Sequence, residues 1–454
     1  MQNKYFHFLI FIPLILHISC YGKENSEPSL PAIPAGIGVQ ALPLWDPPAD
    51  AVHIDPDAAT GSIQNGTREH PFRDFNTIEW KDHTTYAIRR GSTLHSNEIV
   101  ILADHVTLAS YGDGPRPVIM SSATSHALST RWEDSQNITI RDIEIIAPSA
   151  ASAIIIRTGS RNASIINCRI QGPRWGIRVL NFIEHVRIHN TEVFNILEDG
   201  IFIMNTRHIE ISNCYIHRVN QAWKPPYTPE NIASGDGIQL SNCNHWHVHH
   251  NIIDRSDTGN KFCFISNNPS QDQGIFEHNY LRGPIDEGYA IYIGDGRNMV
   301  FRYNYMEGNS KSPLWSHARD LKIYYNVFMG FRGPLFVSGS AEVMNNLFYQ
   351  MQAGIEGGRI TAINNIFDLA SPASPRFRVN QLTESYNLFT QGLPTAGSFT
   401  GNAIYRDPMA ADFRPMSGSD VINRGTSTGI GLDLDGNRVP TGEAPDIGPF
   451  EWQP

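Results

Sequence analysis

One short phrase recurs about ten times between Asn137 and Asn365 and constrains the fold more than any other feature. In each copy two apolar residues stand two positions apart, and a polar residue, usually asparagine, follows two positions later. HVRIHNTEV from His185 and HIEISNCYI from His208 are two clear copies. This two-residue rhythm indicates a strand with alternate side chains in a core, since an α-helix has a period of 3.6 residues.

The copies follow one another at a nearly regular spacing. Aligned on the polar position, they lie 19 to 37 residues apart, and no helical segment comes between them. The aligned positions are Asp142, Asn167, Asn190, Asn213, His250, His278, Tyr303, Tyr325, Asn345 and Asn364. From about Gly176 most copies add an apolar strand, such as DGIFI at Asp199 or DGIQL at Asp236. The pattern predicts an all-β solenoid, a single-stranded right-handed parallel β-helix with three strands per turn and ten or more turns.

This pattern resembles the pectate-lyase-like β-helix superfamily, in which a tight turn commonly carries an asparagine ladder. We interpret Asn167, Asn190 and Asn213 as structural, because such side chains pair backbone groups at a bend. In that superfamily the strand after the longest loops walls the substrate groove. The resemblance therefore implies that the DGIFI-type strands carry the function.

The first 20 residues predict a secretory signal. Lys4 precedes an apolar run, and His-Ile-Ser-Cys ends at Cys20, the expected lipidation site of a lipoprotein; a plain secretory signal is the alternative. The run is too short, and is broken by Pro13, for a transmembrane helix. Residues 21–48 predict a flexible tether. The start resembles Bacteroidetes-type lipoproteins, which implies a lipid anchor in the outer membrane, facing the periplasm or the cell surface.

Composition restricts the partners. The net charge is −10 and the 35 Lys and Arg form no long basic run, so we expect no nucleic-acid partner and a monomer. Cys168 and Cys214 share one alignment column two turns apart, roughly 9 to 10 Å, which exceeds disulfide reach. We therefore expect buried free thiols.

The β-helix is expected over residues 49–370, with C-terminal turns and a capping tail over 371–454. Residues 74–81, DFNTIEWK, are a candidate short N-terminal capping helix, because the apolar end of the first turn must be covered. The tail from Val421 resembles a choice-of-anchor-Q segment. In it the spacing of Asp433, Asp435 and Asn437 predicts a structural turn in preference to a calcium loop.

The longest gap in the repeat, 37 residues between Asn213 and His250, marks a candidate site. The extra residues, 221–234, precede the DGIQL strand and carry Trp223 and Lys224. A long loop at this place predicts a lip over the substrate, and a plain surface excursion is the alternative.

Next to this insertion, alignment of the groove strands on their closing asparagines forms a column of chemically useful residues. The column contains Trp175, Asp199, Asp236, Lys261 and Tyr289, with Glu198 as an additional acid. Two adjacent carboxylates either raise one pKa, which gives an acid and a base, or bind a cation such as Ca²⁺. The alternative is that Asp-Gly before a strand is ordinary turn chemistry.

The same strands present a line of outward positions that suits stacking on sugar rings. This line consists of Arg178, Phe202, Gln239, Phe264, Tyr292, Trp315, Phe336 and Glu356. Packing beneath loops is the alternative. We expect substrate contacts from Arg178, Trp223, Lys224, Gln239, Arg255, Tyr292, Trp315 and His317. His245, His247 and His249 alternate on another face, where they either hold a metal or form a solvated surface.

Three functions fit these residues. The first is a lyase of a uronate polysaccharide, in which a cation on Asp199 and Asp236 neutralises the uronate. Lys261 or Arg255 then takes the C5 proton, and Tyr289 or Tyr292 donates one. The second is a polygalacturonase-type hydrolase, although Asn260, Lys261 and Phe262 stand where that family has Gly-His-Gly. The third is a glycan-binding protein. Lys261 favours the lyase, and the expected partner is an anionic polysaccharide.

Overall fold

The computed structural model describes residues 37–454 except 60, 62, 133, 222–234, 257–261, 268–272, 284–287 and 396. These residues form a right-handed parallel β-helix of about 12 turns, which confirms the predicted architecture. The predicted signal segment and Cys20 lie outside the described residues. No helix in the described part of the chain is both long and apolar enough to cross a membrane.

Three parallel sheets run along the solenoid, and each turn gives one strand to each sheet. Long strands such as Trp175–His189 pass from sheet 1 into sheet 2 without a break. Sheet 1 contains Ile99–Ile101, His126–Thr130, Ser152–Ile156, Ile238–Ser241, Phe264–Asn267, Tyr289–Ile293, Ser312–Ser316 and the first parts of Trp175–His189, Ile201–Ser212, Leu335–Met344, Ile355–Ile363 and Phe377–Ser385. Sheet 2 contains the second parts of those five long strands and Val52–Ile54, Thr85–Arg89, Thr107–Tyr111, Gln136–Arg141, Arg161–Ile166, Asn244–His249, Gly274–Glu277, Val300–Arg302 and Leu321–Tyr324.

Sheet 3 follows sheet 2 across a tight turn and precedes the longest loops. It contains Thr93–Ser96, Val118–Ser121, Glu144–Ile146, Arg169–Gln171, Glu192–Phe194, Tyr215–His217, Ile252–Asp254, Tyr280–Arg282, Tyr305–Glu307, Val327–Met329, Leu347–Tyr349, Ile366–Asp368, Leu388–Phe389 and Phe399–Thr400. The solenoid therefore continues past residue 370. Beyond it lie an antiparallel pair, Tyr405–Asp407 with Asp412–Pro415, and a 3₁₀ turn at Pro408–Ala410.

The tight turn between sheets 2 and 3 explains the recurring polar position. Its residues have left-handed backbone angles, with φ of 52° at Asn190 and 55° at His250, a region that asparagine enters at low cost. Asn190 also donates from Nδ2 to Oδ1 of Asn167 at 3.0 Å, which supports a structural role for both.

The continuous asparagine ladder lies one residue further along the chain than the aligned column. It consists of Asn251, Asn279, Asn304, Asn326, Asn346, Asn365 and Asn387, which are all fully buried. Nδ2 of each donates to Oδ1 of the next, for example at 3.0 Å from Asn251 to Asn279. Each also bonds backbone groups, so the ladder pairs the amides that the bend leaves without strand partners.

In two of the earlier turns cysteine occupies the ladder position, with Thr191 in the turn between them. Cys168 and Cys214 are free and buried, which confirms that no disulfide joins them. Burial raises the pKa of both thiols to about 12. They are small apolar core residues here, because so high a pKa keeps the reactive thiolate rare.

The predicted capping helix over residues 74–81 is absent, and the segment forms bends and a turn. Oδ1 of Asp74 accepts from the backbone N–H of Asn76 at 2.8 Å, a local bond that competes with a helix. Phe75 and Trp80 stack at 5.5 Å and pack, with Ile78, against the core.

The C-terminal segment packs over the tight turns between sheets 2 and 3. Oη of Tyr303 donates to the carbonyl of Leu432 at 3.1 Å, and Thr426 N–H donates to Oδ1 of Asn364 at 3.0 Å. The Asp433 carboxylate accepts from the backbone N–H groups of Asp435, Asn437 and Glu451 at 2.7 to 3.0 Å. It therefore closes a structural turn, as the sequence indicated.

Candidate functional site

The register of sheet 1 fixes which residues lie side by side in the candidate column. Ile177, Ile201, Ile238, Phe264 and Ile291 pair in succession, so the column two residues earlier reads Trp175, Asp199, Asp236, Phe262 and Tyr289. The prediction of Lys261 in this column was wrong by one residue. The sequence has two consecutive asparagines at 267 and 268, and alignment on the first shifts this strand by one. Lys261 itself lies outside the described residues.

The one-residue alignment error also affects the predicted line of outward-facing positions. Phe264 was predicted to face outward, but it is fully buried against Trp246 and Phe276 at ring distances of 5.3 and 4.8 Å. Ile265 stands in the outward register instead, between Gln239 and Tyr292. The other predicted outward positions are in the expected register.

Asp199 and Asp236 are buried, with 5% and 3% of their surface exposed. Oδ1 of Asp199 accepts from Asp236 N–H at 2.7 Å, and Oδ1 of Asp236 accepts from Phe262 N–H at 3.0 Å. Each carboxylate thus ties its own turn to the next. The glycine after each has no room for a Cβ, which at Gly237 would lie 2.5 Å from the Cys263 carbonyl oxygen. Close stacking of turns therefore accounts for the recurrent Asp-Gly.

The electrostatics of this acid pair differ from those of a surface turn. Burial raises the pKa of Asp199 well above its usual value, and the nearby charge of Asp236 raises it further. Arg255 opposes this shift. Relative to an exposed aspartate, the equilibrium of Asp199 is therefore shifted towards the protonated carboxyl.

Arg255, which we expected on the substrate surface, is fully buried. Its guanidinium donates to the carbonyls of Gly235 and Phe262 at 2.8 and 3.2 Å. Because these residues flank Asp236 and the start of the next strand, Arg255 supports the backbone beneath the acid pair and does not line the groove.

Arginine and tryptophan cover the N-terminal side of the pair. Glu198 is bound by Arg174 at 2.7 Å, and the guanidinium groups of Arg174 and Arg178 lie 4.2 and 4.4 Å from the centre of the Trp175 ring. Burial lowers the pKa of Arg178, and Asp199 partly restores it. Gln239 is half-buried and donates to Oγ of Ser241 at 3.1 Å.

An aromatic row continues from the acid pair along sheet 1. The row consists of five half-buried rings: Phe262, Tyr289, Tyr292, Trp315 and Phe336. Trp315 stacks on Phe336 at 3.9 Å and on Tyr289 at 5.1 Å, and Phe262 stacks on Tyr289 at 5.7 Å. Tyr289, expected to be catalytic, is thus one ring of this row. The sequence alignment missed Phe262, because the one-residue shift placed Lys261 there.

A polar pocket of about 410 Å³, here called the edge pocket, lies at the side of the row where the chain leaves sheet 1. It is lined by Asp295, Gly296, Arg297, His317, Arg319 and Asp320. His317 was predicted to contact substrate, but the charged residues were not singled out. A signal was present, since Asp295 is the closing residue of its groove strand. A larger cavity of about 900 Å³ lies among residues from Asp46 to Gly112 and contains none of the predicted site residues.

The insertion at residues 222–234, with Trp223 and Lys224, lies outside the described residues. Its neighbours are placed: Gln221 N–H donates to the Ile196 carbonyl at 2.9 Å, and Gly235 N–H donates to Oδ1 of Asn220 at 3.3 Å. The described chain therefore resumes at Gly235, immediately before Asp236.

A metal-binding group of three or more His, Cys, Asp or Glu side chains was not found in the part of the chain that the structure describes. The histidines of sheet 2 make other contacts. Nε2 of His247 lies 2.8 Å from Glu277, Nδ1 of His249 lies 2.9 Å from Nδ1 of His250, and His245 packs on His208. Burial lowers the pKa of His249 to about 4.

Comparison with known proteins supports the fold. A family model described as a right-handed beta helix region matches residues 119–270. A search of curated proteins finds no match. A structure of XylC with xylose is 10% identical with a TM-score of 0.51, and the alignment covers 89% of this chain and 98% of that one. The pectate lyase Pel9A is 15% identical over 89% and 97%, with a TM-score of 0.42. A family 28 exopolygalacturonase of Yersinia enterocolitica is 10% identical over 76% and 79%, with a TM-score of 0.44.

Proposed function

We propose that this protein is a carbohydrate-active β-helix enzyme that cleaves a polysaccharide lying along the outer face of sheet 1. One observation carries the proposal: a row of stacked, half-buried aromatic rings adjoins a buried pair of carboxylates in the same sheet. Aromatic faces suit the apolar C–H faces of sugar rings, and paired carboxylates supply acid and base.

The row has the direction and length of a saccharide chain. Phe262, Tyr289, Trp315 and Phe336 come from four consecutive turns, which spans roughly 15 Å at the spacing of parallel strands. A polysaccharide that follows the row towards the N-terminus reaches Asp236 one turn beyond Phe262. The row therefore provides binding energy that positions a glycosidic bond at the acids.

The acid pair suits general acid–base cleavage. Asp199, with its pKa raised by burial and by Asp236, is the general acid that protonates the leaving oxygen. Asp236 is the base or nucleophile on the other side of the bond, as in two-carboxylate hydrolases. The desolvated site strengthens both interactions.

A lyase is the second candidate, favoured by the position of Lys261 in the chain. Lys261 precedes Phe262 in the chain, and the Phe262 N–H donates to Asp236 at 3.0 Å. In this mechanism Lys261 takes the C5 proton of a uronate, and Tyr289 or Tyr292 protonates the leaving group. Asp199 and Asp236 would hold a Ca²⁺ ion, which would neutralise the uronate carboxylate.

The test is to incubate the chain with uronate-containing and neutral polysaccharides while following reducing ends and the absorbance of unsaturated ends. New reducing ends without the absorbance support the hydrolase, and ends with it support the lyase. Cleavage by this site should be lost in the Asp236→Asn variant, whereas cleavage by a contaminating enzyme should persist in it. Binding without either product contradicts both enzymes and leaves a glycan-binding protein.

We also propose that the protein is an exported monomer that is anchored in the outer membrane by a lipid on Cys20, with its polysaccharide partner outside the cytoplasm. The apolar segment before Cys20 supports this proposal. Fatty-acid labelling of the wild type, with Cys20→Ala as control, tests it. Incorporation of label into the variant would contradict the assignment.

A further inference from the structure

The edge pocket is formed by backbone that two consecutive turns hold in place. Its first half, Asp295 to Arg297, follows strand Tyr289–Ile293, and its second half, His317 to Asp320, follows strand Ser312–Ser316. Arg297 and Arg319 form a parallel bridge, and Arg319 N–H donates to the Gly296 carbonyl at 2.9 Å. The two halves therefore keep a fixed relation, as a preorganised binding site requires.

The pocket adjoins the aromatic row through His317. The ring of His317 meets Tyr292 and Phe336 edge-on at 6.2 and 6.3 Å, and its Nδ1 lies 3.0 Å from Oγ of Ser338. Trp315 lies between these two rings in the register of the sheet, and its neighbours Phe336 and Tyr289 leave one edge of it free. A sugar ring that contacts this edge therefore has one side at the pocket.

The pocket lining has balanced charge. It contains two aspartates and two arginines, besides His317. Asp320 is held by Ser340, whose Oγ donates to its carboxylate at 2.9 Å. Asp295 and Arg319 are exposed, and within the described ranges neither forms a salt bridge. An acceptor and a donor that are both charged thus remain available on neighbouring turns.

We propose that the edge pocket is a saccharide subsite for the hydroxyl-bearing edge of an uncharged sugar residue. Asp295 accepts hydrogen bonds from hydroxyls, and Arg319 donates to them, while the free edge of Trp315 contacts the sugar ring. A uronate is disfavoured here, because its carboxylate would meet Asp295 as well as the arginines. The inference rests on the proposed function, since it assumes that a saccharide follows the aromatic row.

This subsite limits which sugar residue the substrate carries at one position. Along the solenoid axis the pocket lies two to three turns from Asp236, roughly 10 to 15 Å at the strand spacing, and it lies at the opposite end of the strands. The sugar residue that the edge pocket recognises is therefore not the sugar residue whose bond is cleaved. It is uncharged even if the cleaved sugar residue is a uronate.

The test is titration calorimetry on the intact chain carrying Asp236→Asn, which prevents turnover during the measurement. The probes are xylo-, manno-, galacto- and gluco-hexasaccharides and hexagalacturonate. We expect at least one neutral probe to bind, and Asp295→Asn and Arg319→Gln each to weaken it about tenfold. Asp113→Asn and Arg161→Gln, exposed residues of the same types elsewhere, should leave affinity unchanged. Thermal unfolding of each variant identifies any that fails to fold.

Two results with the neutral probes overturn the inference: no neutral probe binds, or binding survives both pocket substitutions unchanged. A pocket-dependent preference for hexagalacturonate over every neutral probe also overturns it. Failure of the proposed function is a different outcome. In that case the neutral probe binds through the pocket, and the chain with Asp236 intact cleaves none of the polysaccharides.

Discussion

At the residue scale, Asp199 and Asp236 have a structural role that the proposed catalytic role would accompany. Oδ1 of each carboxylate accepts a backbone N–H of the following turn, and burial together with the charge of Asp236 raises the pKa of Asp199. Substitutions that keep this oxygen distinguish the structural role from the proposed catalytic one.

The first prediction concerns Asp236. Asp236→Asn keeps an oxygen that accepts from Phe262 N–H, so unfolding should be nearly unchanged while turnover falls at least a hundredfold. Asp236→Ala removes the acceptor and should cost about 1 to 3 kcal/mol of stability. Chemical denaturation and initial rates measure both. Turnover that survives in the folded asparagine variant would exclude Asp236 from the chemistry.

The second prediction concerns pH. The pKa of Asp199 is raised on folding, so the folded protein holds this proton more tightly than the unfolded chain. Its contribution to stability is fully present below the unfolded pKa of about 4 and is lost as pH rises through the folded value. Asp199→Asn should remove this pH-dependent loss of stability. Denaturation midpoints from pH 4 to 8 should therefore fall less steeply in the variant, and parallel curves would contradict the shift.

At the element scale, the asparagine ladder shows how the turns support one another. Nδ2 of Asn326 donates to the carbonyls of Phe301 and Tyr324 and to Asn346, and its Oδ1 accepts from Asn304. The sequence predicted scaffold asparagines but placed the ladder one position early. The alignment was set by Asn167, Asn190 and Asn213, which occupy the left-handed position, whereas from Asn251 onwards the inward asparagine is the residue after that position.

We predict that Asn326→Ala destabilises the fold by about 3 kcal/mol or more, because several buried groups lose their partners together. Asn402→Ala, at an exposed position, is the control and should change the free energy of unfolding by less than about 0.5 kcal/mol. Urea denaturation of the two variants makes the comparison. Equal effects would mean that the ladder contributes nothing beyond side-chain volume.

The aromatic row yields the fourth prediction. Trp315 is its central ring, stacked on both sides. Trp315→Ala should weaken saccharide binding about tenfold or more, since aromatic stacking contributes about 0.5 to 1.5 kcal/mol beyond burial. The loss should appear in KM more than in kcat, because the row binds substrate away from the reacting atoms. Phe182→Ala, an exposed ring within strand Trp175–His189, is the matched control.

At the scale of the whole molecule, the sequence was sufficient for the architecture because the signal repeats. An error in one copy, such as the shift at Phe264, does not alter the period shared by the others. Each residue of the candidate site occurs once in the chain, so an alignment error at its position is not compensated by other copies. Phe262 was missed through one ambiguous asparagine, and Asp295 and Arg319 were missed because neighbouring turns join them only after folding. The prediction of a helix over residues 74–81 was wrong for the same reason. The local hydrogen bond of Asp74 occurs once and is not part of the repeat.

The ladder also has a direction. Every side-chain amide from Asn251 to Asn365 donates towards the C-terminus, beginning at the Cys214 N–H that bonds Asn251 and ending where Asn387 reaches Ser398. Because each link repeats the same hydrogen bonds, one turn of 19 to 28 residues is a complete structural unit. An additional turn in the same register would meet the same donors and acceptors on both of its sides and would lengthen the solenoid by one strand spacing. The molecule is in this sense modular, since its length can change by whole turns without a new type of contact.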